Sequence, residues 1–168
     1  MKKLKFFIFL IIFLFTSLNL LYSQSNLTVT EKEQVVKEHN KYRSQVGAPD
    51  IVWSDNLAAV AQDWANQVAD QPQITHSNNS YGENLYWGST EATPYQVVYL
   101  WASEQRYYHG EVIDNSNYMI FGHYTQIVWA ETTELGCGKA KSESGRVVWV
   151  CNYNPSGNYI GEKPYGNK

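Results

Sequence analysis

The chain has 168 residues and a formal charge of −3, from 13 Lys and Arg against 16 Asp and Glu. Setting aside an amino-terminal leader with three lysines leaves ten basic against sixteen acidic residues. A chain of that sign has no general pull on phosphate backbones or anionic lipid surfaces, which excludes nucleic acid as a partner. The length suits one domain with its own core, and 13 Tyr with six Trp supply side chains that combine apolar area with a polar handle.

Lys2, Lys3 and Lys5 precede an apolar run from Phe6 to Phe15, extended through Leu18, Leu20 and Leu21, with a small residue at Ser23 or Ser25. This reads as a secretory signal peptide over residues 1–23, leaving residues 24–168 as the mature domain. Thr16, Ser17 and Asn19 interrupt the run, and a spanning helix needs roughly 20 mostly apolar residues. No stable membrane insertion is therefore expected once the leader is removed. The location that follows is extracellular, or periplasmic in a Gram-negative host. In an exported chain the even pair Cys137 and Cys151 reads as a disulfide rather than two free thiols. Closing a loop of this size is worth roughly 3 kcal/mol in the chain-entropy model.

Residues 24–29 form a polar stub. Thr30 followed by Glu33 has the form of a capping box, opening a helix that carries Val35, Val36, His39 and Tyr42 and stops near Gly47. Ser54 caps a second helix with the apolar stripe Leu57, Ala61, Trp64, Ala65 and Val68. Between Pro72 and Ser89 the Asn, Ser and Gly content predicts a loop with at most short extended pieces. Thr93 and Pro94 start a third helix, with proline at the first helical position; it is expected to run through Leu100, Trp101 and Glu104 to Tyr108. Residues 109–121 read as irregular. Ile127–Trp129 and a hairpin, Leu135–Ala140 and Arg146–Tyr153 about a turn at Ser142–Gly145, supply the strands. The fold class is α+β: a three-layer α-β-α sandwich around a small, mainly antiparallel sheet.

Four segments carry more than propensity. They are His39-Asn40-Lys41-Tyr42-Arg43, Gly82-Glu83-Asn84-Leu85, the run Gly122-His123-Tyr124-Thr125-Gln126-Ile127-Val128-Trp129-Ala130-Glu131-Thr132, and Val148-Trp149-Val150-Cys151-Asn152-Tyr153-Asn154-Pro155-Ser156-Gly157-Asn158-Tyr159. In this order they resemble the diagnostic motifs of the CAP superfamily of cysteine-rich secretory proteins, antigen five and pathogenesis-related class 1 proteins. The match spans about residues 30–165, and the tail Gly157–Tyr165 is most similar to the plant branch. The resemblance implies an α-β-α sandwich with a cleft formed by His76, Glu83, Glu104 and His123, and a strand-to-strand disulfide at Cys137 and Cys151. The cysteines of the other two disulfides of the plant proteins are absent here. It further implies sterol or lipid binding, antimicrobial action and, in the plant branch, release of a signalling peptide, here Pro155 through Tyr165.

Two imidazoles and two carboxylates in one cleft can hold a divalent ion, because neutral imidazole suits transition metals and carboxylate suits harder ones. Zinc or magnesium on His76 and His123 is the expectation, with no cofactor required. The same groups can shift one another's proton affinities. Nucleophilic catalysis needs an activated nucleophile beside a base, and the sequence offers no such motif and no His-Glu-x-x-His element. Ligand binding is thus the first reading, metal-assisted hydrolysis the second and a peptide precursor the third. Tyr81, Leu85, Tyr86 and Trp87 are the expected entrance for a lipid or sterol-like ligand. His39, Asn40 and Arg43 read as scaffold, and Gly136-Cys137-Gly138 sits in a strand pattern rather than a phosphate cradle. A monomer is expected.

Overall fold

The computed structural model describes residues 25–166, so the predicted leader lies outside the described residues. The elements are α1 (Val29–Gln45), β1 (Val52–Trp53), α2 (Asp55–Val68), β2 (Gly82–Gly88), α3 (Pro94–Ala102), a 3-10 segment (Ser103–Tyr107), α4 (Tyr118–Ile127), β3 (Glu134–Lys141) and β4 (Val147–Asn154). One sheet runs in the order β1-β3-β4-β2. Its β2–β4 and β3–β4 pairs are antiparallel, and only the two-residue β1 lies parallel to β3. Helix α2 covers one face and α1, α3 and α4 the other, giving the expected three layers.

Helix α1 opens two residues earlier than predicted. Thr28 Oγ1 accepts from the Glu31 N–H at 3.2 Å while the Glu31 carboxylate accepts from the Thr28 N–H at 2.8 Å. The sequence carries the same Thr-x-x-Glu spacing twice, at Thr28 and at Thr30. The earlier box wins because Glu31 also meets the Lys139 ammonium of β3 at 2.5 Å, a contact that the later register would forfeit.

The α2 face is built from small residues. Leu57, Ala58, Ala61, Ala65 and Val68 are buried, the last three against Leu85, Val148 and Val150. A Cβ on Gly136 would run into α2 backbone at Ser54 and Ala58, and one on Gly138 into Gln62. The Gly-Cys-Gly run therefore lets a helix lie directly on a strand. Fully buried Gln62 ties the layers, accepting from the Lys139 N–H at 3.1 Å and donating to the Lys139 carbonyl at 2.8 Å. Cys137 and Cys151, directly opposite in the β3–β4 register, form the predicted disulfide on the other face.

That other face is aromatic: Trp101, Tyr108, Phe121, Tyr124, Trp129, Trp149 and Tyr153 are all buried there. Three sequence expectations fail on it for physical reasons. The 72–89 stretch holds a full seven-residue strand, because β2 finds every partner it needs on β4. Helix α3 ends at Ala102, so Glu104 stands on the tighter 3-10 segment rather than on the third helix. Ile127–Trp129 is not a strand but the end of α4 and the turn after it. Buried Arg43 of α1 holds that turn, donating to the carbonyls of Ile127, Trp129 and Thr132 at 2.8–3.0 Å. A cation there also complements the partial negative charge of a helix C-terminus.

The carboxy-terminal tail is part of the fold. Ala130 N–H donates to the Pro164 carbonyl at 2.8 Å, Ile113 N–H to the Glu162 carbonyl at 2.8 Å, and Gly161 N–H to the Ile113 carbonyl at 2.8 Å. The Tyr165 ring meets Tyr108 edge-on, and Tyr159 meets Trp129.

Candidate functional site

Strand β2 is an outer strand of the sheet, and the site forms where the two faces meet around it. Side chains of a strand alternate between faces. Asn84 and Tyr86 point to the aromatic side, opposite Cys151 and Trp149, while Glu83, Leu85 and Trp87 point to the α2 side, opposite Asn152, Val150 and Val148.

On the α2 side Glu83 accepts from His76 Nδ1 at 2.8 Å, from the Ser77 N–H at 2.9 Å and from the Ser77 hydroxyl at 2.6 Å. Burial pushes the Glu83 carboxyl up, but the bonds from His76 and Ser77 outweigh it and hold the group below the ordinary carboxylate range. On the aromatic side Glu104 accepts from His123 Nδ1 at 2.6 Å and from the His123 backbone N–H at 2.9 Å. The His123 ring lies nearly parallel to the Trp101 indole, 6.3 Å away with 10° between planes.

The two pairs open into one place. His76, Glu83, Tyr118 and His123 line a single small cleft of about 60 Å³, floored by Asn84 and Gly122. The Tyr118 hydroxyl registers both carboxylates: burial first, then the charges of Glu83 and Glu104, raise it above the ordinary phenol range. All four predicted residues are thus brought together, Glu104 behind His123 rather than on the cleft wall.

A buried chain of hydrogen bonds supports the arrangement from α1. His39 Nδ1 lies 2.8 Å from the Val35 carbonyl, which can only accept, so the ring hydrogen is on Nδ1. Nε2 then accepts from the Tyr153 hydroxyl at 2.9 Å, and that oxygen accepts from Asn84 Nδ2 at 3.2 Å. Asn84 Nδ2 also donates to the His123 carbonyl at 3.1 Å. Burial lowers His39 to about 4, so the imidazole is neutral and the direction of every bond is fixed. The sequence marks His39 as scaffold and holds Asn84 and Tyr153 within the motif segments, but their hydrogen bonding is not legible there, because they belong to different strands and meet only through the register.

The expected aromatic entrance does not assemble. Tyr81 is 36% exposed and borders a groove of about 570 Å³ beside the cleft. Leu85 is buried against α2, Tyr86 points to the opposite face, and Trp87, 57% exposed, lies beside the Arg146 guanidinium. The reason is the period of two in a segment read as a loop. Met119 and Ile160, exposed at the groove's border, form its apolar rim with Tyr81. A groove of similar size, about 580 Å³, lies between the 46–49 turn, Trp129 and the tail, and it contains no imidazole.

Chemically, each cleft imidazole commits Nδ1 to its own carboxylate, which leaves Nε2 to face outward. That carboxylate–imidazole arrangement is the one that orients histidine ligands on metals. Among the described residues no group of three or more His, Cys, Asp or Glu side chains is placed to hold a metal ion. Neither imidazole receives a hydroxyl: Ser77 donates to Glu83 instead, and both cysteines are joined in the disulfide. Among the described residues no helix is long and apolar enough to cross a membrane.

The chain is similar to known proteins in sequence and in fold. The chain is 36% identical over 147 residues to pathogenesis-related protein 1C of Nicotiana tabacum, covering 87% of this chain and 88% of that one. Pathogenesis-related protein PR-1 of Medicago truncatula is 40% identical over 139 residues, covering 80% and 79%. The fold matches BmVAL-1 with a TM-score of 0.71 at 24% identity, covering 84% of each chain. It also matches NaASP2, solved with Zn2+, with a TM-score of 0.72 at 22% identity, covering 84% of this chain and 88% of that one. Residues 36–153, from the middle of α1 to the end of the sheet, match the cysteine-rich secretory protein family, and with the fold, the disulfide and the order of the four segments in agreement, the chain belongs to the CAP family.

Proposed function

We propose that this is an extracellular, defence-related binding protein whose cleft holds one divalent ion on His76 and His123. The observation that carries the reading is the pair of imidazoles lining one cleft, each fixed by its own carboxylate through Nδ1 and each with Nε2 free. The name of the plant relatives supports the defence role, and the Zn2+ of NaASP2 supports the ion. When bound, the ion supplies a Lewis-acidic point for an oxygen of the ligand. The rest is the chain's own: Glu83 and Glu104 orient the rings, Trp101 fixes the plane of His123, and Tyr81, Met119 and Ile160 offer apolar contact to a lipid or sterol-like body in the adjoining groove. Among the described residues no hydroxyl or thiol hydrogen-bonds to either cleft ring, since Ser77 donates to Glu83 and both cysteines are joined in the disulfide, and binding without turnover is the better reading of this site.

The test is calorimetric titration of chelator-treated protein with zinc and then magnesium. One ion per chain is expected, and its loss in the His76→Ala/His123→Ala double variant. An ion at 100 times its dissociation constant should stabilise the fold by about 2.7 kcal/mol. No heat from the intact protein with either ion, or equal binding by the double variant, overturns the assignment. Casein or ester hydrolysis that disappears with His123→Ala would replace binding by catalysis.

A further inference from the structure

Helix α4 is not continuous. Phe121, with φ −140° and ψ 16°, lies outside the helical region and breaks it immediately before Gly122 and His123. A break interrupts the ladder of backbone bonds that would otherwise fix the following turn, so the turn carrying His123 depends on side chains from elsewhere. One is Glu104 of the 3-10 segment. Its Oε2 accepts from the His123 N–H at 2.9 Å and from the Tyr124 N–H at 3.3 Å, which is the place of a capping group at a helix start. The other comes from the carboxy-terminal tail. Asn158 Nδ2 donates to the Gly122 carbonyl at 2.8 Å, and Asn158 Oδ1 accepts from the buried Thr125 hydroxyl at 2.7 Å. A carbonyl can only accept, so the orientation of the amide is fixed.

The setting of Asn158 suits that grip. Its backbone has φ 57°, in the left-handed region that asparagine enters more readily than most side chains. Before it, Gly157 lies where a Cβ would run into Gln126 and Trp129, so the tail backbone approaches α4 only through a glycine. The Gly157 N–H donates to Gln126 Oε1 at 3.1 Å, and the Thr132 hydroxyl donates to the Pro155 carbonyl at 2.8 Å. Gln126 in turn fills the space beside Gly82 of β2, next to Glu83: a Cβ on Gly82 would strike its amide. Tail, α4 and the start of β2 thus meet at one junction, and Gly82, Gln126 and Asn158 all border the groove that adjoins the cleft. We infer that Asn158 is a positioning residue of the cleft: it fixes the broken turn of α4 on its carbonyl side as Glu104 does on its N–H side, so the tail sets where the His123 ring stands. The consequence for ion binding rests on the reading of the cleft as a two-imidazole site; the placing of the ring does not.

Two variants of the full secreted protein test this. Asn158→Gly keeps the left-handed backbone and removes the grip, while Asn158→Asp keeps the shape and the acceptor for Thr125 but sets an oxygen against the Gly122 carbonyl. The imidazole resonances of His123 and His76 are compared with those of the parent by NMR at one pH without metal, and zinc affinity is then measured by calorimetry. The His123 signals should move as the ring leaves its parallel position beside Trp101, and its Nδ1 proton should exchange with water at least about tenfold faster. His76, held by Glu83 and not by the tail, should exchange within about twofold of the parent. Zinc affinity should fall about tenfold, the low end of what a lost support behind a metal-binding histidine costs. Thr125→Val, which takes away the hydroxyl side of the grip, should move the same His123 signals and keeps the test open if the Asn158 variants do not fold. Unmoved His123 signals, or equal changes at His76 and His123 as general loosening would give, overturn the positioning role. A parent that binds no zinc removes the ion but not the role, provided that the His123 signals alone respond; a His123 response with unchanged zinc affinity overturns the consequence for binding.

Discussion

The two faces of the sheet are packed on opposite plans. On the α2 side, glycine and alanine bring helix and strand backbones together, and the fully buried Gln62 spends its bonds on the adjacent strand and helix. On the α1–α3–α4 side, bulky rings hold the helices away from the sheet, and polar side chains thread between them: His39, Arg43, Asn84, Thr125 and Gln126 are all buried. The difference teaches which side carries function. A close-packed face leaves no room for a chain of oriented groups, whereas the aromatic face runs such a chain from α1 to the back of His123 and needs only Glu83 and His76 from the other side to complete a cleft.

The sharpest break of this contrast is Gly136→Val. The added carbons have nowhere to go but into α2 backbone, and overpacking that moves a helix should cost about 4 kcal/mol or more; a urea midpoint near that of the parent would show that the α2 face is looser than its glycines imply. Next in size is the pH response of the aromatic face. His39 is neutral in the fold, lowered from an ordinary 6.5 to about 4, so the unfolded chain binds the extra proton between those values. Its contribution is fully present above pH 6.5 and is lost as pH falls towards 4, by about 3 kcal/mol in all. Urea unfolding at pH 7 and 4.5 should show that loss in the parent and a smaller one in His39→Gln, and equal losses would mean the ring is charged in the fold. Below the ordinary carboxylate range Glu83, whose proton affinity is lowered, adds a further loss of the same sign. The smallest expected effect is Tyr153→Phe, which leaves His39 Nε2 without a donor and Asn84 Nδ2 short of one acceptor. About 1–2 kcal/mol is expected, with weaker zinc binding because the backbone behind His123 loses its brace; a stability loss with unaltered zinc affinity would limit the chain of bonds to folding.

Much of the architecture is legible from local signals. The Thr93–Pro94 start, the α2 stripe and the hairpin each follow from a few neighbouring residues. Glu83, Glu104, His76 and His123 are different: nothing in their spacing brings them together, and only the likeness to a known family assigned them to one cleft. The failures are equally physical. Strand β2 is written in glycine, asparagine and glutamate because it serves a site at one end, so composition reads it as a loop. The β-branched pair Ile127–Val128 looks like a strand, yet a guanidinium from a distant helix holds the Ile127 and Trp129 carbonyls at a helical end. Tyr81 to Trp87 read as one apolar surface only until alternate residues are sent to opposite faces.

The Trp101 indole N–H rests at 2.9 Å on the Leu85 carbonyl, midway along an outer strand whose unpaired backbone would otherwise recruit strands from other molecules. At the opposite border the sheet finishes in a strand of only two residues. Both rims are thereby blunted, and the folded chain can reach high concentration without growing into fibrils from its own sheet.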